Sequence, residues 1–268
     1  MCLCRTLKDL YQRSLDNNYT PVVSDKYMAA YNNYIKPPKL RGHIVDLTHT
    51  LGPQTPVFPG DKPMRLEIAS TYSENGYQDY ELHLNEHTGT HLDAPIHFIK
   101  DGIAVHEIPV HCLCGPLVVL DIRDRVLHNH DATVIPDDIL RWEKKYGKIP
   151  SNAIIIMNSG WGKYFGDNNA FVNMDKQGIP HFPGWSKTAV EFLLEARSVL
   201  GIGVDTLSLD QGASEDFPVH NTWLSNGLWG LENVANLDNI PPSGAFLFVG
   251  ASKVYGGTGS PVRLIAVI

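Results

Sequence analysis

The sequence predicts an α/β chain, with helices packed on a mixed β-sheet and with more strand in its first half. Three observations carry this. Short apolar runs of strand length occur at Leu117–Ile122 and Ala153–Met157. Stretches with helical apolar spacing lie between and after them, at 136–147 and 189–200. Before residue 100 the chain instead alternates, most clearly at Tyr80–Glu86. The 268 residues are 43% hydrophobic and 19% charged, the composition of an ordinary globular protein with enough chain to bury a sizeable core.

Taken in order, residues 1–40 read as an N-terminal extension. Leu7, Leu10, Tyr11 and Leu15 stand near helical spacing, and Pro37-Pro38 closes the segment. The globular part, 41–268, opens with a strand over His43–Thr48. Pro53, Pro56, Pro59, Gly60 and Pro63 then impose an irregular loop. Tyr80–Glu86 follows as a strand with Tyr80, Leu82 and Leu84 on one face. After the strand at 117–122 comes a helix over Pro136–Gly147. Asp137 and Asp138 suit its first turn, Lys144 and Lys145 its last, and Gly147 stops it. Ile135, Ile139, Trp142 and Tyr146 form its expected buried stripe. A second helix is expected over Ala189–Leu200, with Thr188 and Glu191 as a capping box and Gly201 as its end. Ile202–Leu209, Ala245–Val249 and Val262–Val267 complete the strands. No internal repeat is visible.

Charge and cysteine usage exclude several function classes. A formal net charge of -7 and a pI near 5.9 argue against a nucleic-acid partner, which needs a basic face. No apolar run is long enough to span a bilayer, and Arg5, Lys8 and Asp9 interrupt any early signal-like stretch. The Asn18-Tyr19-Thr20 acceptor pattern, without such a signal, reads as chance. Cys2/Cys4 and Cys112/Cys114 have neither zinc spacing nor a spacing that favours bridging, so free thiols in the cytoplasm are expected. There is no G-x-S-x-G elbow and no dinucleotide fingerprint. The Gly256-Gly257-Thr258-Gly259 run precedes Pro261 rather than a helix and reads as a turn.

The chemistry concentrates in His87-Thr88-Gly89-Thr90-His91-Leu92-Asp93-Ala94-Pro95-Ile96-His97. Imidazole and carboxylate without sulfur suit zinc, manganese or iron. In a straight strand His87 and His91 would stand about 13 Å apart at ~3.3 Å per residue, too far to share an ion. The chain is therefore expected to bend between them, at Gly89. His91 and Asp93, two apart, share one strand face. Pro95 then turns the chain so that His97 returns beside the site. His87, His91 and Asp93 as three protein ligands would leave open coordination positions, the mark of a catalytic metal.

The run H-x-G-T-H-x-D-x-P-x-H resembles the signature of the metal-dependent cyclase family, which includes bacterial-type kynurenine formamidases and isatin hydrolases. The likeness extends from about Asp46 to the C-terminus. It implies a single swivelling β/β/α-like domain. Pro56-Val57-Phe58-Pro59-Gly60-Asp61 resembles the family's loop toward the substrate pocket, where Phe58 could stack on a planar substrate. Val204–Asp210, Phe217-Pro218-Val219-His220 and Leu231-Glu232-Asn233 resemble later family segments. Carried over, His220 and Glu232 would complete a second ion, with Asp93 bridging both. From the residues alone, both lie in irregular stretches beside apolar strands. His49, His83, His106, His111, His128, His130 and His181 have no cluster partners and read as ordinary.

The reading that follows is a hydrolase of a C–N bond in a small amide, with one or two zinc ions and manganese as an alternative. A bound ion lowers the pKa of water from about 15.7 toward ~7, and the resulting hydroxide attacks the carbonyl. His97 serves as general acid/base. The resemblance implies an arylformamide such as N-formylkynurenine first, and an isatin-like lactam or a lactone with a single manganese second. A non-catalytic metal-binding oligomer is the alternative outside enzymes. The resemblance also implies a homodimer or higher homo-oligomer.

Overall fold

A computed structural model of the protein describes residues 42–268. The expectations for residues 1–40 lie outside the described residues. Twelve strands are described: β1 (Ile44–Asp46), β2 (Arg65–Ser70), β3 (Asp79–His83), β4 (His91–Asp93), β5 (Cys114–Asp121), β6 (Thr133–Val134), β7 (Ala153–Asn158), β8 (Gly184–Trp185), β9 (Val199–Gly203), β10 (Trp229–Glu232), β11 (Ala245–Ala251) and β12 (Gly259–Val267). Four helices matter for the site and its support: α1 (Pro136–Tyr146), α2 (Asn168–Val172), α3 (Lys187–Ala196) and α4 (Pro218–Leu224).

Eight strands form one sheet in the order β1-β12-β11-β5-β7-β9-β10-β4. The last strand, β4, also pairs with β12, so the sheet closes on itself. β5, β7, β9 and β10 run parallel, and the remaining pairings are antiparallel, so the sheet is mixed as expected. All six residues of β7 are buried, because both faces of a parallel strand are covered and Ile154, Ile155 and Ile156 suit the pleat. The alternation divides the core. Leu92, Leu117, Val119, Ile154, Ile156, Leu231, Leu247 and Leu264 pack together on one face. Val118, Leu120, Ile155, Met157 and Ile202 pack on the other, against Ile139 and Trp142 of α1, Val190 and Leu193 of α3, and Val219 and Trp223 of α4.

Helix α1 forms where the sequence predicts it. Pro136 sits at its first position, the Asp138 carboxylate accepts the Ile135 backbone N–H at 2.9 Å, and Gly147 stops it at φ 94°. Tyr146, however, is 39% exposed and does not join the buried stripe, since it lies in the last, fraying turn. Helix α3 differs at both ends. Ser186, and not Thr188, caps it by accepting the Ala189 N–H at 3.2 Å. It stops at Ala196, because Arg197 turns extended and pairs with Glu143 of α1. Residues 199–203, expected in part as helix, are instead strand β9. Gly201 does not end a helix: a Cβ there would lie 2.4 Å from the Trp229 ring, so glycine allows close packing of β9 on β10. The strand expected over Ile202–Leu209 ends at Gly203, and 204–209 runs on in turns.

Strand β3 ends at His83, short of Glu86, and pairs only with β2, which sequence periodicity does not reveal. Leu82 is 58% exposed, because this hairpin forms its own two-stranded sheet and does not lie on the core. His220 and Glu232 do not lie in irregular stretches: the first is on α4 and the second closes β10.

Candidate active site

The bend at Gly89 is realised. Gly89 has φ 67°, and a Cβ there would meet Leu51 Cδ2 at 2.3 Å, so no other residue fits without rearrangement. The Asn233 side-chain amide and the His91 ring both donate to the Gly89 carbonyl, at 2.9 and 2.8 Å. The His87 and His91 rings are thereby brought to 5.2 Å centroid to centroid. His91 and Asp93 project from the same face of β4, while Leu92 enters the core. Glu232 is the partner of His91 across the β10–β4 pairing, which puts its Oε2 3.3 Å from His91 Nε2. Pro95–His97 form a single 3-10 turn that returns His97 onto His87, the rings stacked at 3.8 Å.

Asp210 delivers the last ligand candidate. Its carboxylate accepts the Val219 and His220 backbone N–H groups at 2.8 and 3.1 Å, and the His220 Nδ1–H at 2.7 Å. His220 Nε2 is left facing Glu232 Oε1 at 3.1 Å and Asp93 Oδ2 at 3.6 Å. This carboxylate–histidine arrangement is the usual outer support of a metal ligand.

The structure thus brings together all six residues singled out in the motif and the later segments: His87, His91, Asp93, His97, His220 and Glu232. The expected pairs are adjacent, with His87 and His91 beside Asp93 and with His220 beside Asp93 and Glu232. One set of converging ligand atoms is His87, Asp93 and His97, and a second is His91, Asp93 and Glu232, with Asp93 common to both. The set fits a divalent metal. His91 Nε2 and Asp93 Oδ2 are buried with no hydrogen-bond partner, a cost that a cation removes. The His91 Nε2 separations of 3.3 Å from both Asp93 Oδ1 and Glu232 Oε2 match the ~3.3 Å edge of a tetrahedron with bonds near 2.0–2.1 Å.

Electrostatics says the same. Burial disfavours charge on His91, but Asp93 and Glu232 outweigh it and raise its pKa to about 10. Burial likewise opposes charge on His220, and Asp210, Asp93 and Glu232 lift it well above the ordinary imidazole range. Burial raises Asp93, yet His91, His220 and His87 together hold it well below the ordinary carboxylate range. Protons on these rings stand where a divalent cation would neutralise the same carboxylates. His97 differs. Its residue surface is exposed, but desolvation of the ring pushes its pKa down to about 4, against a smaller upward pull from Asp93.

Beside His97 stands a run of aromatic rings. Phe98 lies edge-on to His97 at 4.8 Å and stacks on His220 at 4.6 Å. Phe217 meets Phe98 at 5.6 Å, and Phe58 meets Phe217 at 6.1 Å. All three phenylalanines are half-buried. Phe217 adopts a left-handed conformation at φ 46°, uncommon for a bulky residue and the sort of strain that collects at functional sites. Sequence reasoning reached Phe58 but missed Phe98, Phe217 and Asp210. Adjacency to His97 could have marked Phe98, whereas no spacing rule ties Asp210 to His220. The remaining histidines are not part of this cluster. His49 is half-buried and stacked on Phe165 at 3.7 Å, its pKa pushed down to about 4 by burial. His181 pairs with Asp131 and Asp175, and His83 stands near Glu67 and Glu81 on the hairpin.

The chain is similar to known hydrolases over most of its length. The isatin hydrolase of Roseibium aggregatum is 34% identical over 243 residues, which cover 84% of this chain and 91% of that protein. The kynurenine formamidase of Salinibacter ruber is 27% identical over 228 residues, covering 83% and 96%. The crystal structure of an isatin hydrolase bound to the product analogue thioisatinate superposes with a TM-score of 0.81 at 30% identity, covering 91% of this chain and 97% of that one. The Cyclase family model matches residues 45–211. The chain belongs to the Cyclase family.

Proposed function

We propose that this Cyclase-family hydrolase opens the C–N bond of a small amide whose nitrogen is carried by an aromatic ring. The observation that carries the reading is the pair of partnerless buried atoms, His91 Nε2 and Asp93 Oδ2, in the cluster that also holds His97. When bound there, a divalent ion supplies an activated water and a Lewis acid toward the carbonyl. His87, His91, Asp93, His220 and Glu232 would hold it, zinc first and manganese second, as one ion or as two sharing Asp93. His97 stays neutral near pH 7, because its pKa is depressed to about 4. A neutral ring at the mouth of the site accepts a proton from water and passes it to the departing nitrogen. Phe58, Phe98 and Phe217 offer a wall on which an aryl group packs.

Both an arylformamide of the N-formylkynurenine type and an isatin-type lactam meet this description. The motif is common to both, and the higher identity to an isatin hydrolase than to a kynurenine formamidase supports the lactam no less than the formamide. We further propose a homodimer or higher homo-oligomer in the cytoplasm; among the described residues no helix is long and apolar enough to cross a membrane. The test is a panel of aryl and alkyl formamides, lactams and lactones, with zinc and manganese content measured on each preparation. Hydrolysis of an aryl amide that is lost on chelation and regained with metal is the expected result. A metal-free preparation with full activity would end this reading.

A further inference from the structure

We infer that Glu86 and Thr258 are positioning residues that lock His87 in the tautomer bearing its proton on Nε2, so that His87 presents Nδ1 to a metal ion while His91 presents Nε2. The inference rests on the proposed role of His87 as a ligand. Thr258 belongs to the glycine-rich turn that leads into β12, far from His87 in sequence. Its Oγ1 lies 3.0 Å from His87 Nε2 and 2.7 Å from Glu86 Oε2. A threonine hydroxyl has one proton to give. The carboxylate can only accept, so the hydroxyl donates to Glu86. Oγ1 then faces His87 with a lone pair, and Nε2 must be the nitrogen that carries hydrogen. Nδ1 then faces Asp93 Oδ1 at 2.6 Å, a separation that a proton bridges in the metal-free protein and at which a metal ion would replace that proton.

Several features keep the relay in this direction. The same Glu86 oxygen accepts the Thr258 backbone N–H at 2.9 Å. An oxygen already accepting a backbone N–H is an acceptor for the hydroxyl as well. The backbone here wraps closely round both residues. A Cβ on Gly259 would lie 2.5 Å from the His87 ring, and one on Gly257 would lie 3.0 Å from Glu86 Oε1. His91 has the opposite arrangement, since its Nδ1 is engaged by the Gly89 carbonyl at 2.8 Å. Two histidines four residues apart thus offer different nitrogens, which lets both converge on Asp93 from unlike backbone positions.

The experiment measures zinc affinity by chelator competition and, by nitrogen NMR of the zinc-loaded protein, which His87 nitrogen carries hydrogen. Thr258→Val keeps the shape of the side chain but removes the acceptor. It is expected to weaken zinc binding roughly 10–100-fold, the usual effect of losing an outer partner of a ligand, and to mix the two tautomers. Thr258→Ser should restore both. Should Thr258→Val not fold, Glu86→Ala carries the same test, because a hydroxyl freed from Glu86 can donate to Nε2 and favour the wrong tautomer. Zinc affinity and tautomer unchanged in the folded variant would overturn the inference. His87→Ala separates the two readings. If it keeps its zinc, the ligand assignment itself is wrong; if it loses zinc while Thr258→Val keeps it, only the relay is wrong.

Discussion

At the scale of single residues, the question is which histidine holds metal and which moves protons. His91 is buried between two carboxylates, whereas His97 is an exposed residue. His91→Ala is therefore expected to strip metal from the chain. His97→Ala should keep most of it and lose about 10²–10⁴-fold in kcat, the range for a general acid/base. Metal per chain and kcat, measured on the same preparations, decide the matter. Equal metal loss in both variants would make His97 a ligand to an ion shared with His87 and Asp93, and the proton carrier would have to be another group. Gly89 gives a second expectation at this scale. Gly89→Ala would have to adopt φ 67° and displace Leu51, so it should cost more than about 1 kcal/mol and lose metal as well. Urea unfolding beside metal analysis checks this, and a variant as stable as the parent would show that the turn can relax.

At the scale of elements, α1 and α3 are tied by one ion pair. The Arg197 guanidinium holds the Glu143 carboxyl below its ordinary value, with burial opposing. A depressed folded pKa contributes stability above the unfolded value of about 4.3 and loses it as pH falls through the folded value. The melting temperature of the parent should therefore fall more steeply than that of Glu143→Gln between neutral pH and pH 3. Parallel curves would remove the pair from the acid response. The elements also show what was legible. Strands β5, β7, β11 and β12 and helix α1 follow from local pattern, because each is long enough for its apolar period to repeat. Bend, strand and turn in the metal motif were legible because Gly89, the two-residue step from His91 to Asp93 and Pro95 each act locally. Local pattern misses part of strand β9, because Gly201 reads as a stop when Trp229 dictates it from another strand. Helix α4 was not seen, because seven residues give two turns and its cap is Phe217, an unusual cap. The roles of Asp210, Glu86 and Thr258 depend on contacts between distant segments and leave no trace in spacing.

At the scale of the whole molecule, the outward positions of β1, β11 and β12 carry exposed apolar side chains among the described residues. Phe246, Phe248, Ile265 and Ile44 stand exposed on β11, β12 and β1, and Phe248 pairs with Ile265 across the strands. Contiguous apolar surface of this kind is usual at subunit contacts, and it supports the proposed homo-oligomer. Light scattering at micromolar concentration should report a dimer or larger, and a monomer alone would dismiss it.

The closing strand β4 has a consequence for how the enzyme comes into being. Its three residues pair with β10 and β12, strands that begin more than a hundred residues later. During synthesis His87, His91 and Asp93 leave the ribosome early, yet the strand that aligns them has neither neighbour. Glu232 and Thr258 arrive later still. Long-range pairing of this sort is slow to form. The site is therefore complete only once β12 has paired with β4, and metal binding reports on that long-range pairing.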